Sequence, residues 1–103
     1  MGFKLPRYKP PMERELEYLL YDLCVKWGVC IPPVDAERIS KMTELTAEMF
    51  AASVVKAEGL NPLYEQKYVR RLAQKFRERF GQDYISAETF VDRVRDHKEN
   101  WNM

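Results

Sequence analysis

Three of the four glycines in this 103-residue chain stand at positions 28, 59 and 81, each directly after a run of residues with helical periodicity. Glycine takes up the left-handed backbone that ends a helix without the penalty a Cβ brings, so each of these positions reads as a stop. The starts are marked as well. Pro11 suits a helix entry and Pro33 opens a short helical pattern, because a missing N–H costs nothing in the first turn. Thr43 and Ser86 are N-cap residue types, and Asn61-Pro62 is a cap residue followed by proline. These signals predict helices over about 12–27, 33–41, 44–58, 62–80 and 87–100. With loops this short, the expectation is an all-α fold, a compact bundle of four to five helices. No segment reads as a strand, a repeat or a low-complexity tract.

The apolar pattern says which faces turn inward. Leu16, Leu19, Leu20, Leu23, Cys24 and Trp27 form one stripe on the first helix, and Tyr18, Tyr21 and Val25 add a flank that predicts cover on two sides. Leu45, Met49, Phe50, Val54 and Ala57, with Ala52 or Ser53, are expected to line the inner side of 44–58. Val69, Leu72, Ala73, Phe76 and Phe80 do so for 62–80. On the last helix, Phe90, Val91, Val94, His97 and Trp101 mark the inward face, with Ile85 and Phe90 spaced as a hydrophobic staple around the Ser86 cap. Glu37 and Lys41 are spaced for an ion pair.

Residues 1–11 hold three of the six prolines, three cations (Lys4, Arg7, Lys9) and no acid, so they are expected to form an extended basic arm ahead of a single helical domain at 12–103. No run approaches the roughly 18 apolar residues of a membrane span, and the N-terminus lacks the apolar stretch of a secretory signal. The expectation is a cytoplasmic protein with reduced cysteines.

Enzyme readings lack parts. The single histidine, His97, falls on an apolar face, which suits packing better than general base catalysis. Ser40, Ser53 and Ser86 have no nucleophile-elbow context, and no nucleotide-binding or zinc-protease motif occurs. Cys24 and Cys30 have five residues between them, which is neither the C-x-x-C redox spacing nor half a zinc ribbon, and with His97 they make only three nitrogen or sulfur ligands. No catalytic residue, cofactor or metal is assigned.

The cysteines are read as small apolar side chains in a corner. Gly28 stops the first helix, Pro32 and Pro33 prevent its resumption, and Trp27, Val29, Cys30 and Ile31 gather there. A disulfide between the two, or a reactive thiol at either, is the alternative. This stretch, L-C-V-K-W-G-V-C-I-P-P, and the later A-E-G-L-N-P at 57–62 resemble small uncharacterised bacterial proteins that share an L-C-x-x-x-G-x-C-hydrophobic-P-P corner. The resemblance spans roughly residues 16–80. It implies a bacterial helical protein and no particular activity.

Charge supplies the functional lead. The whole chain is net +1, which offers no global attraction to nucleic acid or membrane. Residues 62–80 alone carry six cations against two acids, and Lys67, Arg70, Arg71, Lys75 and Arg77 share the arc opposite the apolar face. Lys67, Arg70, Arg71, Gln74, Lys75 and Arg77 are therefore the candidate partner-binding residues, expected to dock an acidic protein surface. The alternative is weak nucleic-acid binding by the same face with Lys4, Arg7 and Lys9, although the helical projection places no aromatic residue among the exposed cations as a stacking platform. A structural reading competes with both, in which Glu13, Glu15 and Glu17 of the first helix cover the basic arc.

Overall fold

The structure, a computed structural model, describes residues 9–90. It is all-α apart from two three-residue strands. In chain order the elements are α1 (Pro11–Trp27), α2 (Pro33–Ser40), β1 (Glu44–Thr46), α3 (Ala47–Ala57), α4 (Gln66–Phe80) and β2 (Tyr84–Ser86), after which residues 87–90 are helical. One core runs through all of them, with Leu16, Leu23, Ile39, Leu45, Phe50, Val54, Phe76 and Ile85 almost fully buried.

The strands correct the expectation that the chain has neither strand nor repeat. β1 and β2 pair antiparallel, with Leu45 opposite Ile85. On either side of that pair the backbone closes reciprocally: the Ala47 amide donates to the Asp83 carbonyl at 2.7 Å and the Ala87 amide to the Thr43 carbonyl at 2.8 Å. Both strands lead straight into helices, capped in the same way. Thr46 Oγ1 accepts from the Met49 amide at 3.0 Å, and Ser86 Oγ accepts from the Thr89 amide at 3.3 Å. The sequences match accordingly, Leu45-Thr46-Ala47-Glu48-x-Phe50 against Ile85-Ser86-Ala87-Glu88-x-Phe90. The chain thus contains two helix–strand–helix units, α2–β1–α3 and α4–β2–87–90, joined strand to strand. Their phenylalanines form one ladder: Phe50 to Phe76 at 5.3 Å, Phe76 to Phe80 at 4.8 Å and Phe80 to Phe90 at 5.9 Å between ring centroids.

Two helix starts move for local reasons. The helix expected from residue 44 begins at Ala47, because Glu44–Thr46 are extended and the cap is Thr46 and not Thr43. The inner face of α3 is Ala47, Phe50, Ala51, Val54 and Val55, so Phe50 and Val54 of the expected lining are buried and Met49 is exposed. The helix expected from Pro62 begins at Gln66. Asn61 Oδ1 accepts the Leu63 amide at 2.9 Å, a side-chain turn that competes with the helical ladder. Glu65, with φ −105° and ψ 49°, then breaks the path into α4.

The helix stops lie where glycine marks them. At Gly59 the amide reaches the Lys56 carbonyl and the Leu60 amide the Val55 carbonyl, the two bonds of a Schellman close. Gly28 is left-handed at φ 73°; its amide donates to the Cys24 carbonyl at 3.1 Å, and the Val29 amide to the Leu23 carbonyl at 2.9 Å. Of the predicted stripe on α1, Leu16, Leu19, Leu20 and Leu23 are buried, whereas Cys24 is half-buried and Trp27 is exposed. The expected second flank is not covered among the described residues: Tyr18, Tyr21 and Val25 are half or more exposed. The inward positions Val91, Val94, His97 and Trp101, and most of the arm at 1–11, lie outside the described residues; Lys9 and Pro10 lead directly into α1.

The strand pair generates a stability test. Leu45→Ala and Ile85→Ala each remove a fully buried aliphatic side chain at equivalent positions, so each is expected to lower unfolding free energy by about 2–5 kcal/mol. In chemical denaturation the double variant should differ from the sum of the singles, since the two residues face each other. Strict additivity would show that the strands are not energetically coupled.

Candidate functional site

α4 places the candidate residues by its strong two-sidedness. Leu72, Ala73, Phe76 and Phe80 are buried against the core. That leaves Lys67, Arg70, Arg71 and Gln74, spaced i, i+3, i+4 and i+7, on the opposite, exposed side. Lys67, Arg70 and Arg71 have no ion-pair or hydrogen-bond partner among the described side chains.

The acids of α1 do not cover them. Glu15 and Asp22 both bind Arg79, each at 3.1 Å, one turn past the candidate face, and Glu17 binds Lys9 at 2.7 Å. The remaining two candidates are already engaged. Arg77 pairs with Asp83 just before β2. Lys75 stands over the Trp27 ring, Nζ 3.6 Å from its centroid, with Glu78 at 3.9 Å. The structure therefore splits the predicted set, with an open half at Lys67, Arg70, Arg71 and Gln74 and an occupied half at Lys75 and Arg77.

Trp27 was missed as a site residue. It comes from α1, far away in sequence, so no local spacing announces it, yet its side chain is 56% exposed beside Lys75. An aromatic platform does flank the basic face. The expected apolar corner correspondingly shrinks to Val29, which is buried, and Ile31, which is half-buried.

The cysteines are the main correction. Cys24 and Cys30 are joined in a disulfide across a Cα–Cα distance of 4.4 Å, and neither is free. The left-handed turn at Gly28 folds the chain back and delivers Cys30 to the last turn of α1. Cys30 is exposed and Cys24 half-buried, so neither is the enclosed core thiol that the apolar reading required. While the pair is bonded, neither sulfur is a thiolate.

Tyr68 lies on α4 between the exposed cations and the core, and its hydroxyl donates to Glu58 Oε1 at 2.7 Å. Burial above all, then that hydrogen bond and the Glu58 charge, push the phenol up to about 12. Tyr84, donating to Glu44 at 2.9 Å across the strand pair, is raised mainly by that hydrogen bond. Lys41 holds Glu37 below the usual carboxylate range through the expected i,i+4 pair, at 2.9 Å. Ser40 is buried, and its hydroxyl donates to the Glu37 carbonyl at 3.0 Å as a helix-end residue.

Among the described residues no group of three or more His, Cys, Asp or Glu side chains converges as a metal site. Paired helix–loop–helix units can hold calcium through twelve-residue loops bearing alternating oxygen ligands. Here the segments between the helices, 41–46 and 81–86, are six residues long, and the carboxylate within each, Glu44 or Asp83, is taken by Tyr84 or Arg77. No described helix is long and apolar enough to cross a membrane.

Two tests follow from these contacts. Dithiothreitol, or the Cys24→Ala/Cys30→Ala double variant, should lower stability by about 2 kcal/mol, as expected for releasing so short a loop. Identical thermal unfolding with and without reductant would contradict a disulfide that stabilises the fold. At high pH the sign is set by the raised phenol. The Tyr68 contribution is complete below its unfolded value of about 10 and is lost as pH rises through its folded value of about 12. Tyr68→Phe should therefore flatten the fall in stability over that window, and matching wild-type and variant profiles would refute the assignment.

Compared with protein families, curated proteins and solved structures, the chain matches none.

Proposed function

We propose that this protein is a non-catalytic interaction module that docks an acidic protein surface through α4. The observation that carries the reading is the open stripe of Lys67, Arg70 and Arg71, with Gln74 one turn further on, unpaired among the described residues while nearby acids bind other cations. Surface cations held this way favour fast, salt-sensitive association and partner selection more than raw affinity. Lys75 and Arg77 support the face from its occupied end, where they fix α4 against Trp27 and the segment before β2.

The resemblance of the 23–33 corner to small bacterial proteins supports a bacterial origin and adds no ligand. A cytoplasmic setting requires cellular thiols to hold Cys24 and Cys30 reduced, and an oxidising one keeps them joined. Lys67, Arg70 and Arg71 serve in both settings, because the disulfide is built from α1 and the turn after it and not from α4.

Fluorescence anisotropy with a labelled polyglutamate peptide tests the reading. Binding at low salt should weaken steeply with added salt, and Arg70→Glu/Arg71→Glu should reduce it about tenfold or more without changing thermal stability. A protein that ignores the peptide but binds a labelled single-stranded or duplex oligonucleotide through the same arginines would replace this reading with the nucleic-acid one.

A further inference from the structure

We infer that the partner segment carries a large apolar anchor residue beyond its carboxylates, and that this anchor fits a cleft between α1 and α4 walled by Trp27; this rests on the docking reading above. The charge on α4 is partitioned along its length. Lys67, Arg70 and Arg71 are bare. One to two turns further on, Lys75 is drawn to Trp27 and Glu78, and Arg79 to Glu15 and Asp22, so the charges there are matched within the protein. In that matched region lies a cleft of about 240 Å³ lined by Leu19, Leu23 and Trp27 and by five charged side chains, Arg79 and Lys75 among them; with both leucines buried, Trp27 is its exposed apolar wall.

Lys67, Arg71 and Lys75 are spaced i, i+4 and i+8, a ridge of about 12 Å at 1.5 Å per residue that leads from the bare cations to the Trp27 ring. A solvent-exposed tryptophan in a cleft that Arg79 also lines has the residue types enriched at interface hot spots. The Lys75 ammonium against its ring holds it in place before binding, which lowers the ordering cost of association. A ligand matching this surface needs carboxylates opposite Lys67, Arg70 and Arg71 and one bulky apolar side chain about two turns away. An acidic amphipathic helix presents both on one face. A nucleic acid fits less well. A base stacked on Trp27 would bring its phosphate to a cleft that Asp22 and Glu78 also line.

The test uses the full chain with Trp101→Phe, so that tryptophan emission reports Trp27 alone. Three labelled probes are compared: a helix-forming peptide with glutamates on one face and a leucine two turns on, the same peptide with alanine in place of leucine, and a thymidine oligonucleotide. The leucine peptide should bind about tenfold or more tightly than the alanine peptide, as burial of one leucine side chain allows, and should change Trp27 emission. Trp27→Ala should remove that preference, so that the variant binds the leucine and alanine peptides equally. Equal binding of both peptides to the protein with Trp27 intact would overturn the anchor and leave the docking reading in place; that comparison does not depend on how a variant folds. Binding of neither peptide would overturn both, as would binding of the oligonucleotide alone.

Discussion

Antiparallel pairing of Leu45 with Ile85 is the contact on which the rest of this structure depends. It is flanked by two short backbone bonds, Ala47 to Asp83 and Ala87 to Thr43, that mirror each other. Three-residue strands are far below the length at which a sheet stabilises itself in water. These hold because their central side chains are buried and because each strand is also the entry to a helix. Once Thr46 and Ser86 cap those helices, the positions of Phe50 and Phe90 follow, and the two close a ladder through Phe76 and Phe80. The core is therefore assembled across a junction between residues about forty positions apart.

The parts of the fold that were legible in the sequence are those written in local chemistry. Gly28, Gly59 and Gly81 end helices because positive φ is needed there, and all three adopt it. The stripes of α1 and α4 were legible because their period runs over several turns. The strands were not, since Glu-Leu-Thr-Ala-Glu carries good helix formers and a three-residue strand leaves no period to detect. The signal that does exist is the recurrence of an aliphatic residue, Thr or Ser, then Ala-Glu-x-Phe at 45 and 85. It covers six positions and becomes meaningful only when the two copies are set side by side. Asn61-Pro62 misled for a related reason: a side-chain turn and a capped helix start draw on the same residue types, and the non-helical backbone at Glu65 separates the turn from α4.

At the candidate site, the basic arc was readable from the helical wheel, but its occupancy was not. A wheel projects one helix and carries no information about which neighbour reaches it. Arg79 lies on the flank turned toward α1 and takes Glu15 and Asp22, whereas Lys67, Arg70 and Arg71 lie beyond the reach of those acids. Exposed pairs of this kind contribute only about 0–1 kcal/mol each, so their importance is positional. Glu15 and Asp22 end at Arg79 and Glu17 at Lys9, and the N-terminal half of the face stays an uncompensated patch.

The cysteine corner shows why elimination by motif was an unsafe guide. Spacing excluded a C-x-x-C centre and a zinc ribbon, and the remaining choice between packed thiols and a disulfide turned on geometry alone. The left-handed residue invoked to place the cysteines in an apolar corner also reverses the chain, and that reversal brings Cys30 back over the last turn of α1. Gly28 thus performs two tasks. It closes the helix through its own amide, and it sets the approach of Cys30 to Cys24. It also leaves Trp27 as the final residue of α1, turned out beside Lys75, so the bend that joins the sulfurs positions the aromatic edge of the basic face.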